Sequence, residues 1–131
     1  MNVNRILETC LYVDDLDAAR RFYQEVLGLQ SFASVAGRHV FFRCGAGVLL
    51  LFNPDETATG AGSAPAHGAR GPGHIAFAMA ADQVDAWRER LAQHGVPVET
   101  EVTWPGGFSL YFRDPAGNSL ELTTPGTWGL E

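Results

Sequence analysis

A chain of 131 residues, 46% of them hydrophobic, is long enough to bury a core and too apolar to stay disordered. Its formal net charge of −6, with no local cluster of Lys and Arg, speaks against nucleic acid or an anionic membrane as partner, because both need a basic face. No apolar run is long enough to span a bilayer and no charged-then-apolar leader opens the chain, so a cytoplasmic location is expected.

In chain order, residues 6–13 alternate as a strand, with Leu7, Leu11 and Val13 toward the core and Glu8, Cys10 and Tyr12 on the opposite face. A helix follows over 15–27. Leu16, Ala19, Phe22, Tyr23, Val26 and Leu27 fall on one stripe, Asp14 or Asp15 caps its start, and Gly28 ends it. Strands are expected over 30–35, 39–43 and 48–52, separated by the Ala36-Gly37 and Gly45-Ala46-Gly47 turns. Residues 53–72 are rich in Gly, Ala and Pro and show no periodicity, so they read as a flexible joint in which His67 is a solvated loop histidine. Gly60-Ala61-Gly62 inside it lacks the strand–turn–helix setting of a dinucleotide fingerprint.

A strand over 74–79 then places Ile75, Phe77 and Met79 on a bulky face and His74, Ala76 and Ala78 on the other. The helix expected over 82–94 carries Val84, Trp87 and Leu91 at helical spacing and stops at His94-Gly95. Strands over 98–103, 108–113 and 119–124 complete the pattern, the last two joined by the turn Asp114-Pro115-Ala116-Gly117-Asn118. The shortness of the turns makes both three-strand runs antiparallel meanders. Arg43 and Arg113 end equivalent strands and are expected to pair with carboxylates such as Asp114, while core packing is expected for Trp104, Phe108 and Tyr111. Cys10 and Cys44 are too few for a disulfide framework, and neither has the neighbours of a nucleophile.

Residues 5–52 and 73–124 are therefore two copies of one strand–helix–three-strand unit. Glu8 overlays His74, and Leu50 overlays Glu121, so three of four equivalent positions carry side chains suited to metal binding or acid/base work. All three polar residues fall on the face of their strand that turns away from the helix. Two carboxylates and an imidazole suit a divalent ion such as Mn, Fe, Co, Ni or Zn, and three protein ligands leave positions open for substrate.

The segments Leu11-Tyr12-Val13-Asp14-Asp15-Leu16, Ala18-Ala19-Arg20-Arg21-Phe22-Tyr23, Val26-Leu27-Gly28-Leu29, Gly73-His74-Ile75-Ala76-Phe77 and Phe112-Arg113-Asp114-Pro115-Ala116-Gly117-Asn118-Ser119-Leu120-Glu121-Leu122 carry a resemblance. Together they resemble the vicinal oxygen chelate superfamily, which includes glyoxalase I, extradiol dioxygenases, fosfomycin-resistance and bleomycin-resistance proteins. The resemblance covers nearly the whole chain. It implies an α+β fold in which two βαβββ repeats form a cupped mixed sheet, here one domain over 1–131. It also implies one divalent metal per site, a small-molecule substrate and a homodimer, with sites shared between chains as a variant. His74 and Glu121 match the superfamily's metal-binding His and Glu. Glu8 stands where many members place a His, so the two-His-one-carboxylate set of extradiol dioxygenases is absent. Leu50 stands where glyoxalase I carries a Glu that ligates metal and moves protons.

The expectation is a metal-dependent enzyme, lyase, isomerase or dioxygenase, that chelates vicinal oxygens of its substrate and stabilises an enolate or alkoxide. Glu8, His74 and Glu121 are the expected metal ligands, and Glu8 and Glu121 the expected catalytic carboxylates. The alternative is a metal-free protein that sequesters a drug-like molecule, as bleomycin-resistance members do.

Overall fold

Apolar alternation and helical stripes resolve into two compact units, Met1–Gly71 and Pro72–Glu131, in a computed structural model that describes residues 1–60 and 62–130. Ala61 of the Gly60-Ala61-Gly62 segment and Glu131 lie outside the described residues.

The first unit runs β1 (Glu8–Tyr12), α1 (Leu16–Glu25), β2 (Gln30–Val35), β3 (His39–Cys44), β4 (Gly47–Phe52) and a short helix α2 (Pro54–Thr57). The sheet order is β1-β4-β3-β2, with β1 parallel to β4 and the other pairs antiparallel. Asp15 rather than Asp14 caps α1, its carboxylate accepting from the Ala18 amide at 3.0 Å. Gly28, at φ 70°, ends the helix because the Leu29 amide must turn back to the Tyr23 carbonyl. Ala19 and Tyr23 on the inner stripe of α1 are buried, as are Phe42, Leu49 and Leu51 of the sheet. Each large side chain buried in this way contributes roughly 1.5–3 kcal/mol.

The second unit repeats the plan: β5 (His74–Ala78), a 3-10 turn (Ala81–Gln83), α3 (Val84–Gln93), β6 (Thr100–Trp104), β7 (Gly107–Arg113), β8 (Ser119–Thr123) and a closing 3-10 turn (Pro125–Trp128). Its sheet order is β5-β8-β7-β6, again with one parallel pair, β5 with β8. Leu91, Leu110, Phe112, Leu120 and Leu122 form its core.

Three expectations need correction. Leu7 is 62% exposed rather than core-facing, because strand pairing starts one residue later, at Glu8 opposite Val48. The second helix opens as a 3-10 turn and becomes α-helical only at Val84, where no side chain caps it. Residues 53–72 are not structureless throughout. Asn53 caps α2 through the Asp55 amide, and the His67 amide bonds the Thr57 carbonyl at 3.1 Å.

Candidate metal centre on the second sheet

Strand register decides what meets on the open face of the second sheet. Glu121 of β8 lies between Ala76 of β5 and Tyr111 of β7, and the next row is Ala78, Thr123, Ser109. Small side chains on β5 leave room above the sheet, while Leu120 and Leu122 point into the core and hold β8 in place.

His74 and Glu121 come together here. The His74 Nε2 lies 3.3 Å from Glu121 Oε2, with the imidazole about half exposed and the carboxylate nearly buried. The other ring nitrogen, Nδ1, is 3.0 Å from the Ser119 carbonyl oxygen. A carbonyl can only accept, so Nδ1 carries a proton. In the neutral ring, Nε2 is then an acceptor beside a carboxylate oxygen, and a cation or a shared proton between them relieves the repulsion.

A divalent ion fits that arrangement. Two ligands of one ion at roughly 2.1 Å each lie roughly 3.0–3.4 Å apart at right to tetrahedral angles. A ligating histidine that donates its other N–H to a backbone carbonyl has its tautomer and ring orientation set in advance.

Buried carboxylates need hydrogen bonds to offset lost hydration, and Glu121 is well supplied. The Ser109 hydroxyl donates to Oε1 at 2.6 Å, and Tyr111 is the cross-strand neighbour of Glu121. Burial first, and then that carboxylate, push the Tyr111 phenol above its ordinary pKa. The Tyr111 ring also stacks near His74, at 6.3 Å between centroids. Trp104 is 38% exposed rather than core-packed, and its indole N–H donates to Ser109 at 2.8 Å. Sequence reasoning missed Ser109. The signal was present as alternation in β7, where Ser109 and Tyr111 interrupt Phe108, Leu110 and Phe112.

Glu8 is exposed at the start of β1, opposite Val48, which is the register place His74 occupies opposite Ser119. Leu50 lies opposite Cys10 as Glu121 lies opposite Ala76, and Leu50 and Glu121 are equally buried at 7% exposure. The repeat equivalence read from the sequence therefore matches the pairing register. Among the described residues, no group of three or more His, Cys, Asp or Glu side chains gathers as a ready metal cluster.

The equivalent face of the first unit is aromatic. His39 stacks on Phe41 at 4.1 Å, and Phe52 meets Phe41 edge-on at 5.4 Å. His67 is no solvated loop residue. Its Nδ1 lies 2.8 Å from the Tyr12 hydroxyl and its ring abuts Phe52 at 4.8 Å, because the aromatic face offers the loop an apolar seat. Burial, and next the Glu8 charge, raise the Cys10 thiol pKa, which disfavours the reactive thiolate.

The arginine expectation also changes. Arg113 forks onto Glu99 at 2.8 and 3.2 Å, and Arg43 lies over the Phe32 ring at 4.3 Å. Asp114 instead closes its own turn, accepting from the amides of Ala116 and Asn118 and from the Asn118 side chain.

Residues 5–122 match the model of the Glyoxalase/Bleomycin resistance protein/Dioxygenase superfamily. The chain belongs to this superfamily. It is similar to a lactoylglutathione lyase from Agrobacterium tumefaciens, at 44% identity and a TM-score of 0.94, covering 99% of this chain and 100% of that one. It is 42% identical over 59 residues to the metallothiol transferase FosB of Shouchella clausii (strain KSM-K16), a match spanning 39% of this chain and 37% of that protein. The fold is also shared with the fosfomycin resistance protein FosX from Listeria monocytogenes, at 24% identity and a TM-score of 0.71, with 94% of each chain covered. The α+β architecture of repeated βαβββ units is thus the superfamily's own.

Proposed function

We propose that the protein is a divalent-metal enzyme of this superfamily that acts on a small molecule carrying two adjacent oxygens. The observation that carries the reading is the His74–Glu121 pair. With Nδ1 held by the Ser119 carbonyl, Nε2 and a carboxylate oxygen 3.3 Å apart are spaced as two ligands of one cation would be. Glu8, at the register place of His74 in the first unit, is the proposed third ligand and the candidate base. When bound, the ion supplies Lewis acidity to the chelated oxygens as charge develops on them. The chain's own part is to orient the ligands: the Ser119 carbonyl fixes the His74 tautomer, and the Ser109 hydroxyl holds Glu121.

The likeness to a lactoylglutathione lyase over the full length supports lyase or isomerase chemistry ahead of oxygen insertion. Leu50 marks a difference from the glyoxalase I ligand set, and leaves two carboxylates and one imidazole as the proposed donors.

The test is metal content and calorimetric titration with Mn, Ni and Zn, followed by a turnover screen on dicarbonyl–thiol adducts, catechols and epoxides. Wild-type protein should bind one divalent ion per chain. His74→Ala and Glu121→Gln should weaken binding by more than the roughly 10–100-fold typical of an outer-shell partner. Protein that holds no ion and gives no heat with any of the three would make this a metal-free binding protein instead.

A further inference from the structure

The buried Ser109 hydroxyl has more partners than protons, and that count has a consequence. Ser109 is fully buried, and its Oγ lies 2.6 Å from Glu121 Oε1, 2.8 Å from Thr123 Oγ1 and 2.8 Å from the Trp104 indole nitrogen. A serine hydroxyl donates once and accepts twice, an indole N–H only donates, and a carboxylate only accepts. The single Ser109 proton therefore goes to the shortest contact, Glu121. The Trp104 N–H donates into Ser109, and that incoming bond polarises the hydroxyl and strengthens its outgoing one. The direction of the relay is set: Trp104 to Ser109, and Ser109 to Glu121 Oε1.

Resting on the metal-site reading above, we infer that Ser109 is a positioning residue that ties down Oε1 so that Glu121 offers the metal a single oxygen, Oε2. The distances divide the carboxylate in this way already: Oε1 is occupied by Ser109, and Oε2 is the atom that faces His74. A carboxylate free to turn could take two coordination positions on the ion. One held by a single oxygen would leave that further position to a substrate that binds through vicinal oxygens, so the relay would favour substrate chelation without touching substrate. Trp104, partly exposed at the end of the relay, also makes it observable.

The experiment titrates Zn alone into wild-type protein and into Ser109→Ala, Ser109→Thr and Trp104→Phe, with calorimetry and indole N–H NMR as readouts. Ser109→Ala should lose about 10-fold or more in Zn affinity, the range for loss of an outer-shell partner. Ser109→Thr, which keeps the hydroxyl, should recover most of it. Trp104→Phe, which removes only the first donor at a partly exposed site, should weaken Zn binding in the same direction by a smaller factor. In wild type, Zn should move the Trp104 indole N–H resonance more than those of Trp87 and Trp128, and Ser109→Ala should abolish that difference. If Ser109→Ala does not fold, the Trp104→Phe affinity and the indole shift decide. Zn affinity unchanged in Trp104→Phe, together with a Trp104 resonance that ignores Zn, overturns the relay. Wild type that binds no Zn, Mn or Ni would overturn the metal reading itself, a separate outcome.

Discussion

At the scale of single residues, His39 on the aromatic face of the first unit is tuned by its neighbours. His39 accepts from the Arg38 guanidinium at 2.7 Å through Nδ1 and stacks on Phe41. Burial, and then the Arg38 charge, hold its pKa below the ordinary value. The unfolded chain therefore takes up a proton on His39 at a higher pH than the folded one. The resulting loss of stability is absent above the unfolded pKa of about 6.5, and it grows as pH falls toward the folded value. Arg38→Gln should raise the His39 pKa in an NMR titration and flatten the acid side of the stability profile. An unmoved pKa would assign the shift to burial alone. For Glu8, the proposed third ligand, Glu8→Gln should weaken metal binding sharply in calorimetry. Glu8→His should retain binding and shift preference away from the most oxygen-loving ions. Unchanged affinity in Glu8→Gln would remove Glu8 from the ligand set.

At the scale of elements, one turn governs where His74 sits. The Asn118 side chain accepts from the Gly73 amide at 2.7 Å, immediately before β5, and donates to Asp114 Oδ2 at 2.9 Å. It thus joins the β7–β8 turn to the start of the strand that carries His74. Asn118→Ala would leave the Gly73 N–H without this partner and Asp114 short of one. It should cost about 1–3 kcal/mol in urea denaturation and weaken metal binding through displacement of His74. Gly107 works by close approach rather than by backbone freedom. A Cβ there would run into the side chains of Thr124 and Thr127, which belong to the chain that folds back after β8. Gly107→Ala should destabilise the protein by about 1–3 kcal/mol, read as a lower urea midpoint with the slope unchanged.

At the scale of the whole molecule, β1 and β5 are edge strands of their own four-stranded sheets, and unpaired edges invite cover. Ile6, Leu7, Phe32, Val35 and Trp128 are exposed apolar side chains in the single chain. Association with a second copy is the proposed cover. Sedimentation should show dimers, and both stability and metal affinity should rise with protein concentration. If sites are shared between chains, refolding Glu8→Ala together with Glu121→Ala should regain one intact metal site per heterodimer. Heterodimers confirmed by mass spectrometry that bind no more metal than either parent would exclude sharing.

Much of this was legible before any coordinates, because it depends on neighbours in sequence. Period-two alternation placed all eight strands of the described residues to within two residues of their observed ends. The Asp14-Asp15 pair and Gly28 bounded the first helix, and the repeat made Glu8 equivalent to His74 and Leu50 to Glu121. Local periodicity says which face a side chain takes, but not which strand lies beside it. The parallel pairing of β5 with β8, which brings His74 within 3.3 Å of Glu121, is a tertiary fact. So are the donor chain from Trp104 through Ser109 and the choice of Glu99 over Asp114 by Arg113. The seating of His67 on Tyr12 and Phe52, in a segment that had no pattern to read, is another. Each joins residues distant in sequence, and its energy exists only after the chain has closed the loops between them. The repeated unit and its candidate ligands follow from local pattern; which groups share the Glu121 hydrogen bonds depends on strands that meet only in the folded sheet.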